Sequence, residues 1–87
     1  MNQYQIIKLL SDEVRFQIVM KLMDYEELYV SELVDLLQIK QANASKHLKK
    51  LREADIVDSR REKNMVMYTL NEAFIEENLQ LIKYLMN

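Results

Sequence analysis

With 87 residues the chain makes one domain, spanning 1–87, and so small a core supplies only about 3–5 kcal/mol of stability. Cysteine is absent, which excludes disulfides and thiolate metal centres, so a chain that is 49% hydrophobic is expected to gain stability from a partner chain. The net charge of −2 argues against nucleic acid as a partner, yet eight of the twelve Lys and Arg fall within residues 40–63, against four acids, giving a local basic face on an acidic body.

Glycine and proline are also absent, so turns must be built from Asn, Asp, Lys or Ser. No apolar run approaches the ~20 residues of a membrane span, and the N-terminus lacks a signal-peptide pattern, so a cytoplasmic, soluble protein is expected. Residues 2–10 form a short helix with Ile6, Ile7, Leu9 and Leu10. Ser11 or Asp12 then caps a second helix, running to about Asp24, whose Val14, Ile18 and Leu22 repeat every four residues on one face. Leu28-Tyr29-Val30 is β-prone, and Ser31 is the expected N-cap of a third helix ending near Gln38, with Leu33, Leu36 and Leu37 toward the core. After a turn at Ile39-Lys40, a fourth helix covers about Gln41 to Ala54 and buries Ala44, Leu48 and Leu51. Asp55 ends it in a left-handed conformation. Residues 56–61 and 65–70 read as a hairpin whose tip is Glu62-Lys63-Asn64, with Asn64 suited to positive φ. A last helix covers about Glu72 to Met86. The fold class is mainly α with a small β-hairpin, a winged helix-turn-helix of order α-α-α-α-β-β-α.

The fourth helix carries the functional signal. Opposite its apolar stripe lie Asn43, Lys46, His47 and Lys50, while Gln41, Ala42 and Ser45 crowd its start. Amides for base edges, small residues for close approach and cations for phosphate are what a helix reading the major groove requires. Arg60, Arg61 and Lys63 at the hairpin tip add a wing within reach of a neighbouring phosphate or the minor groove. His47 is the sole histidine, and one imidazole without a thiolate makes a poor metal site; on the exposed arc it is expected to donate to phosphate or base. In the last helix Ile75, Leu79, Ile82 and Met86 form an apolar stripe wider than a small core requires. With Ile6, Ile7 and Leu10 of the first helix it is expected to make a two-fold dimer interface.

The segments LSDEVRFQIVMKL (10–22), VSELVDLLQIKQANASKHLKKLREADIV (30–57) and RREKNMVMYTL (60–70) resemble the ArsR/SmtB family of bacterial repressors, most specifically at Ser45-Lys46-His47-Leu48 and Leu51-Arg52-Glu53-Ala54. The resemblance covers nearly the whole chain. It implies a dimeric winged-helix repressor in which Gln41, Asn43, Ser45, Lys46 and His47 contact DNA and Arg60 and Arg61 form the wing. Asp55 and Lys63 stand where that family usually has glycine. Many members sense metals through cysteines near the third helix or a His/Asp set on the last. The matching stretches here are Tyr29-Val30-Ser31-Glu32 and a last helix with Glu76 and Glu77 but no histidine, so no metal or other cofactor is expected. The sequence therefore predicts a homodimeric regulator of a palindromic double-stranded DNA operator. The alternative is a winged helix used only for protein contacts. No catalytic set can be assembled from these residues, so an enzyme is not expected.

Overall fold

The computed structural model describes residues 1–86 and follows the expected order. Helices α1 (Gln3–Leu10) and α2 (Glu13–Tyr25) lead to a short strand β1 (Glu27–Tyr29) and helices α3 (Val30–Leu37) and α4 (Gln41–Glu53). A hairpin of β2 (Val57–Glu62) and β3 (Met65–Leu70) precedes α5 (Glu72–Glu77) and α6 (Leu79–Met86). The β-prone stretch becomes a true strand: β1 pairs antiparallel with β3, giving a three-stranded sheet of order β1-β3-β2. No helix among the described residues is long and apolar enough to cross a membrane.

Local chemistry explains the helix starts. At α1 the Asn2 side chain accepts the Gln5 N–H and the Gln5 side chain accepts the Asn2 N–H, both at 2.9 Å, a reciprocal capping box. At α2 the Asp12 carboxylate accepts the Arg15 N–H at 3.0 Å. Helix α3 starts earlier than its serine suggests. Tyr29 is the N-cap residue and its N–H is accepted by Glu32, so Ser31 lies in the first turn. The last helix is interrupted at Asn78, whose side-chain amide donates to the Phe74 carbonyl at 2.9 Å and competes with the helical ladder.

Four residues take the positive φ that glycine adopts most easily: Glu26, Gln38, Asp55 and Lys63, with φ of 66°, 55°, 58° and 57°. Asp55 behaves as expected, whereas at the hairpin tip Lys63, not Asn64, has positive φ. These two are the positions at which the resemblance anticipates glycine.

The core gathers Ile18, Val19 and Leu22 of α2, Leu33 of α3, Leu48 and Leu51 of α4, and Ile56 and Val57 at the start of the hairpin. Leu36 departs from the predicted stripe and is exposed, whereas Leu33 is buried and Leu37 packs at the edge of the core. Ile6 and Leu10 from α1, Phe74 from α5 and Ile82 from α6 close the same core. Together these elements carry α4 on a rigid apolar platform.

Candidate nucleic-acid interface

Helices α3 and α4 are joined by residues 38–40, with Gln38 in the left-handed region turning the chain. Lys40 is the N-cap of α4 and makes no side-chain cap bond, so side chains leave the first-turn N–H groups of α4 uncapped. Gln41, Ala42, Ser45, Lys46, Lys49 and Lys50 are exposed, and Asn43 is half-buried beside them. Ala44, Leu48 and Leu51 are buried on the opposite side. The helix thus separates an apolar stripe from an arc of amides, a hydroxyl and lysines. Lys49 belongs to that arc as well, although the sequence pattern around it gives it no distinguishing mark.

His47 does not. It is only 7% exposed, turned inward between α4 and α2. Its Nδ1 lies 3.0 Å from Nη1 of Arg15 and 3.9 Å from a carboxylate oxygen of Asp12. An arginine can only donate, so Nδ1 is the acceptor and the ring is neutral, with its hydrogen on Nε2. Burial pushes the imidazole below its ordinary value; Asp12 opposes that shift, and Arg15, Lys46 and Lys50 reinforce it. The expectation of an exposed donor to DNA is therefore corrected for His47. Positions 44, 47, 48 and 51 form one helical stripe, and the histidine occupies a core position in it.

The wing is held differently from its sequence reading. The register places Arg60 and Tyr29 on either side of Met67, with Glu27 opposite Thr69 and Glu62 opposite Met65, all on the outer face of the sheet. The Arg60 guanidinium donates to Glu27 and to Glu62, both at 3.0 Å, and the Tyr29 hydroxyl donates to Glu62 at 3.0 Å. These bonds hold the Glu62 carboxyl below its ordinary range, through Tyr29 first and then Arg60. They raise the Arg60 guanidinium, through Glu27 first and then Glu62. Arg60, expected as a free DNA contact, is thus already engaged by two carboxylates. Arg61 lies on the opposite face, paired in register with Val66; it is exposed, as is Lys63 at the tip, and neither forms an ion pair among the described residues. Arg52 near the end of α4 donates to Ser59 of β2 at 3.4 Å, linking helix and wing.

The residues expected at a dimer interface divide into two groups. Ile6, Leu10 and Ile82 are buried in the protomer's own core, so they are corrected from partner contacts to internal packing. Ile75 is partly buried, whereas Ile7, Leu79 and Met86 remain 50%, 43% and 50% exposed. Ile7 also lines an apolar groove between α1, α2 and α6 with Phe16, Leu81 and Leu85, and the buried Leu10 forms part of its floor.

The two-helix unit, the exposed arc of α4 and the adjoining hairpin define a winged helix-turn-helix DNA-binding protein. The model for the arsR family of bacterial regulatory proteins matches residues 12–59, and the chain belongs to that family. It is 35% identical over 77 residues to the transcriptional activator HlyU of Vibrio cholerae, covering 88% of this chain and 70% of that protein. It is also 35% identical over 80 residues to the arsenical resistance operon repressor of Staphylococcus xylosus, covering 88% of this chain and 76% of the repressor. Among solved structures, reduced HlyU from Vibrio cholerae superposes with a TM-score of 0.78 at 35% identity, over 92% of this chain and 83% of that one. The repressor BigR from Xylella fastidiosa gives 0.78 at 37% identity, over 91% and 76%. The protein is accordingly a DNA-binding transcription regulator and not an enzyme.

Proposed function

We propose that the chain works as a homodimer that reads an imperfect palindromic operator, with α4 of each protomer in successive major grooves. The observation that carries this reading is the division of α4 into a buried stripe and an arc of exposed polar and basic side chains. Gln41 and Asn43 are the base readers, since amides can pair with adenine in the major groove. Ala42 and Ser45 allow close approach, and Lys46 and Lys50 bind phosphate. Arg61 and Lys63 are the wing's phosphate contacts, and Arg60 is a strut that fixes the wing through Glu27 and Glu62. Ile7, Leu79 and Met86, with Ile75 at their edge, are the surface that a second copy covers, which supports two-fold pairing through α1 and α6.

The arsenical repressor from Staphylococcus xylosus takes its name from a metalloid operon. This chain has no thiolate, and its one imidazole is bonded to Arg15, so soft metals are not its signal. Selection of bound duplexes from a random library tests the whole reading. The expected product has two half-sites with centres about 10 bp apart or a multiple of that. Enrichment of no sequence, or of a single unrepeated half-site, would contradict it. In sedimentation, a dimer at tens of micromolar (roughly the range of modest protein–protein affinities) and a monomer for Leu79→Glu are expected.

A further inference from the structure

The guanidinium of Arg15, on α2, bonds to both α1 and α4. Arg15 Nε donates to the Leu9 carbonyl in the last turn of α1 at 2.7 Å, and Arg15 Nη1 donates to His47 of α4 at 3.0 Å. The backbone N–H of Arg15 is bound by the Asp12 carboxylate that begins α2. The same carboxylate lies 4.0 Å from Nη1 of Arg15. We propose that Asp12, Arg15 and His47 form an acid-sensitive clamp that holds α4 in its DNA-reading position while the imidazole is neutral and releases it when Nδ1 takes a proton. The proposal rests on the assignment of α4 as the reading helix. Arg15 and His47 act as positioning residues; neither touches DNA.

The geometry makes the protonated state incompatible with the observed contacts. A proton on Nδ1 turns the acceptor into a donor facing a guanidinium that can only donate, with two positive charges 3.0 Å apart at a buried site. The charged groups around the ring are Asp12 and Arg15 from α2 and Lys46 and Lys50 from α4, and α1 contributes the Leu9 carbonyl through Arg15. Only Asp12 favours the imidazolium, and its nearest oxygen, at 3.9 Å, is already bound to the backbone that starts α2. Relief requires either that α4 draw away from α2 or that Arg15 swing out and let go of α1. Either movement removes the tie that fixes α4 to α2 and α1, so acidification loosens the reading arc relative to the helix that carries Ile7.

As the sole histidine, His47 gives one set of ring signals in a 15N spectrum. At about pH 7.5 the neutral ring is expected to carry its hydrogen on Nε2; an Nδ1–H ring or an imidazolium would overturn the clamp. The second arm measures affinity for the library-selected duplex and for a scrambled duplex, from about pH 7.5 to about pH 5.5 at fixed salt. The natural chain should lose about tenfold in affinity for the selected duplex across that range. His47→Asn places an amide oxygen near the Nδ1 position and cannot titrate, so it should stay level. An affinity that rises on acidification, as it would if the imidazolium merely added a cation to the DNA face, would refute the clamp. So would an equal fall in His47→Asn. If His47→Asn does not fold, the amide signals of α4 in the natural chain must move with the ring's own titration, and their standing still would refute it. Absence of DNA binding at neutral pH would instead remove the reading-helix assignment, and the ring and α4 signals would still decide the clamp.

Discussion

The reading helix and the wing both carry several cations within a short stretch, but they present them in opposite ways. On α4, Lys46, Lys49 and Lys50 are exposed and face no carboxylate within ion-pair distance among the described residues. On the wing, Arg60 is shared between Glu27 and Glu62, and Arg61 and Lys63 are left for an external anion. A charge count rates the two regions alike. Geometry separates a cation that can displace counterions from DNA from one that already has its anion. The helix leaves its lysines without intramolecular anions among the described residues, whereas one of the wing's three cations, Arg60, is tied to two carboxylates that hold the wing in shape.

The largest expected effect comes from breaking the platform on which both regions stand. Leu48 is fully buried beneath α4, and Leu48→Ala should cost about 2–5 kcal/mol of stability in urea unfolding. A loss below ~1 kcal/mol would mean that α4 is not anchored as described. Next in size is base reading: Asn43→Ala should weaken the selected operator by about 1–3 kcal/mol per half-site and leave a scrambled duplex unchanged. Equal loss on both duplexes would make Asn43 a backbone contact.

The comparison itself is sharpened by salt. Lys46→Ala and Arg61→Ala should each reduce the slope of log affinity against log salt by about 0.9 per half-site, about 1.8 for the dimer, on operator and scrambled DNA alike. Arg60→Ala should change that slope far less, because its anions are intramolecular. An equal loss at Arg60 would erase the distinction between strut and contact.

The smallest effect is a two-step loss of stability in acid. The folded imidazole lies below its ordinary value, chiefly through burial, so the unfolded chain takes up the proton first. Stability is therefore full above about pH 6.5 and falls as the pH drops from there toward the folded value. Asp12 is held below its ordinary range by the Arg15 N–H, so its contribution survives until the pH falls through that lower value. Urea midpoints against pH should show both steps in the natural chain and only the lower one in His47→Asn.

Much of this was legible because it is local. The four-residue spacing in α2 and the Asp12 cap depend on neighbours a few positions apart, and the structure carries both. The stripe formed by 44, 47, 48 and 51 was equally local, but the chemistry of histidine suggested an exposed role and hid the periodic signal. Arg60 is a different case. Its partner Glu27 is brought near by the pairing of β1 with β3, which nothing in the residues around position 60 announces. The stripe on the last helix overstated the free surface for a similar reason: Asn78 breaks that helix, and Ile82 turns into the protomer's own core.

The left-handed lysine at the hairpin tip sets two demands on one position against each other. At φ 57° a residue with a Cβ carries strain of about 1 kcal/mol that glycine would not. Glycine there would also strip the tip of its cation. Lys63→Gly should therefore raise the urea midpoint while weakening DNA binding, two responses of opposite sign from a single substitution. On this view the sequence tolerates a less comfortable bend to keep a positive charge at the most forward point of the wing, and natural variation at this site would trade robustness against grip.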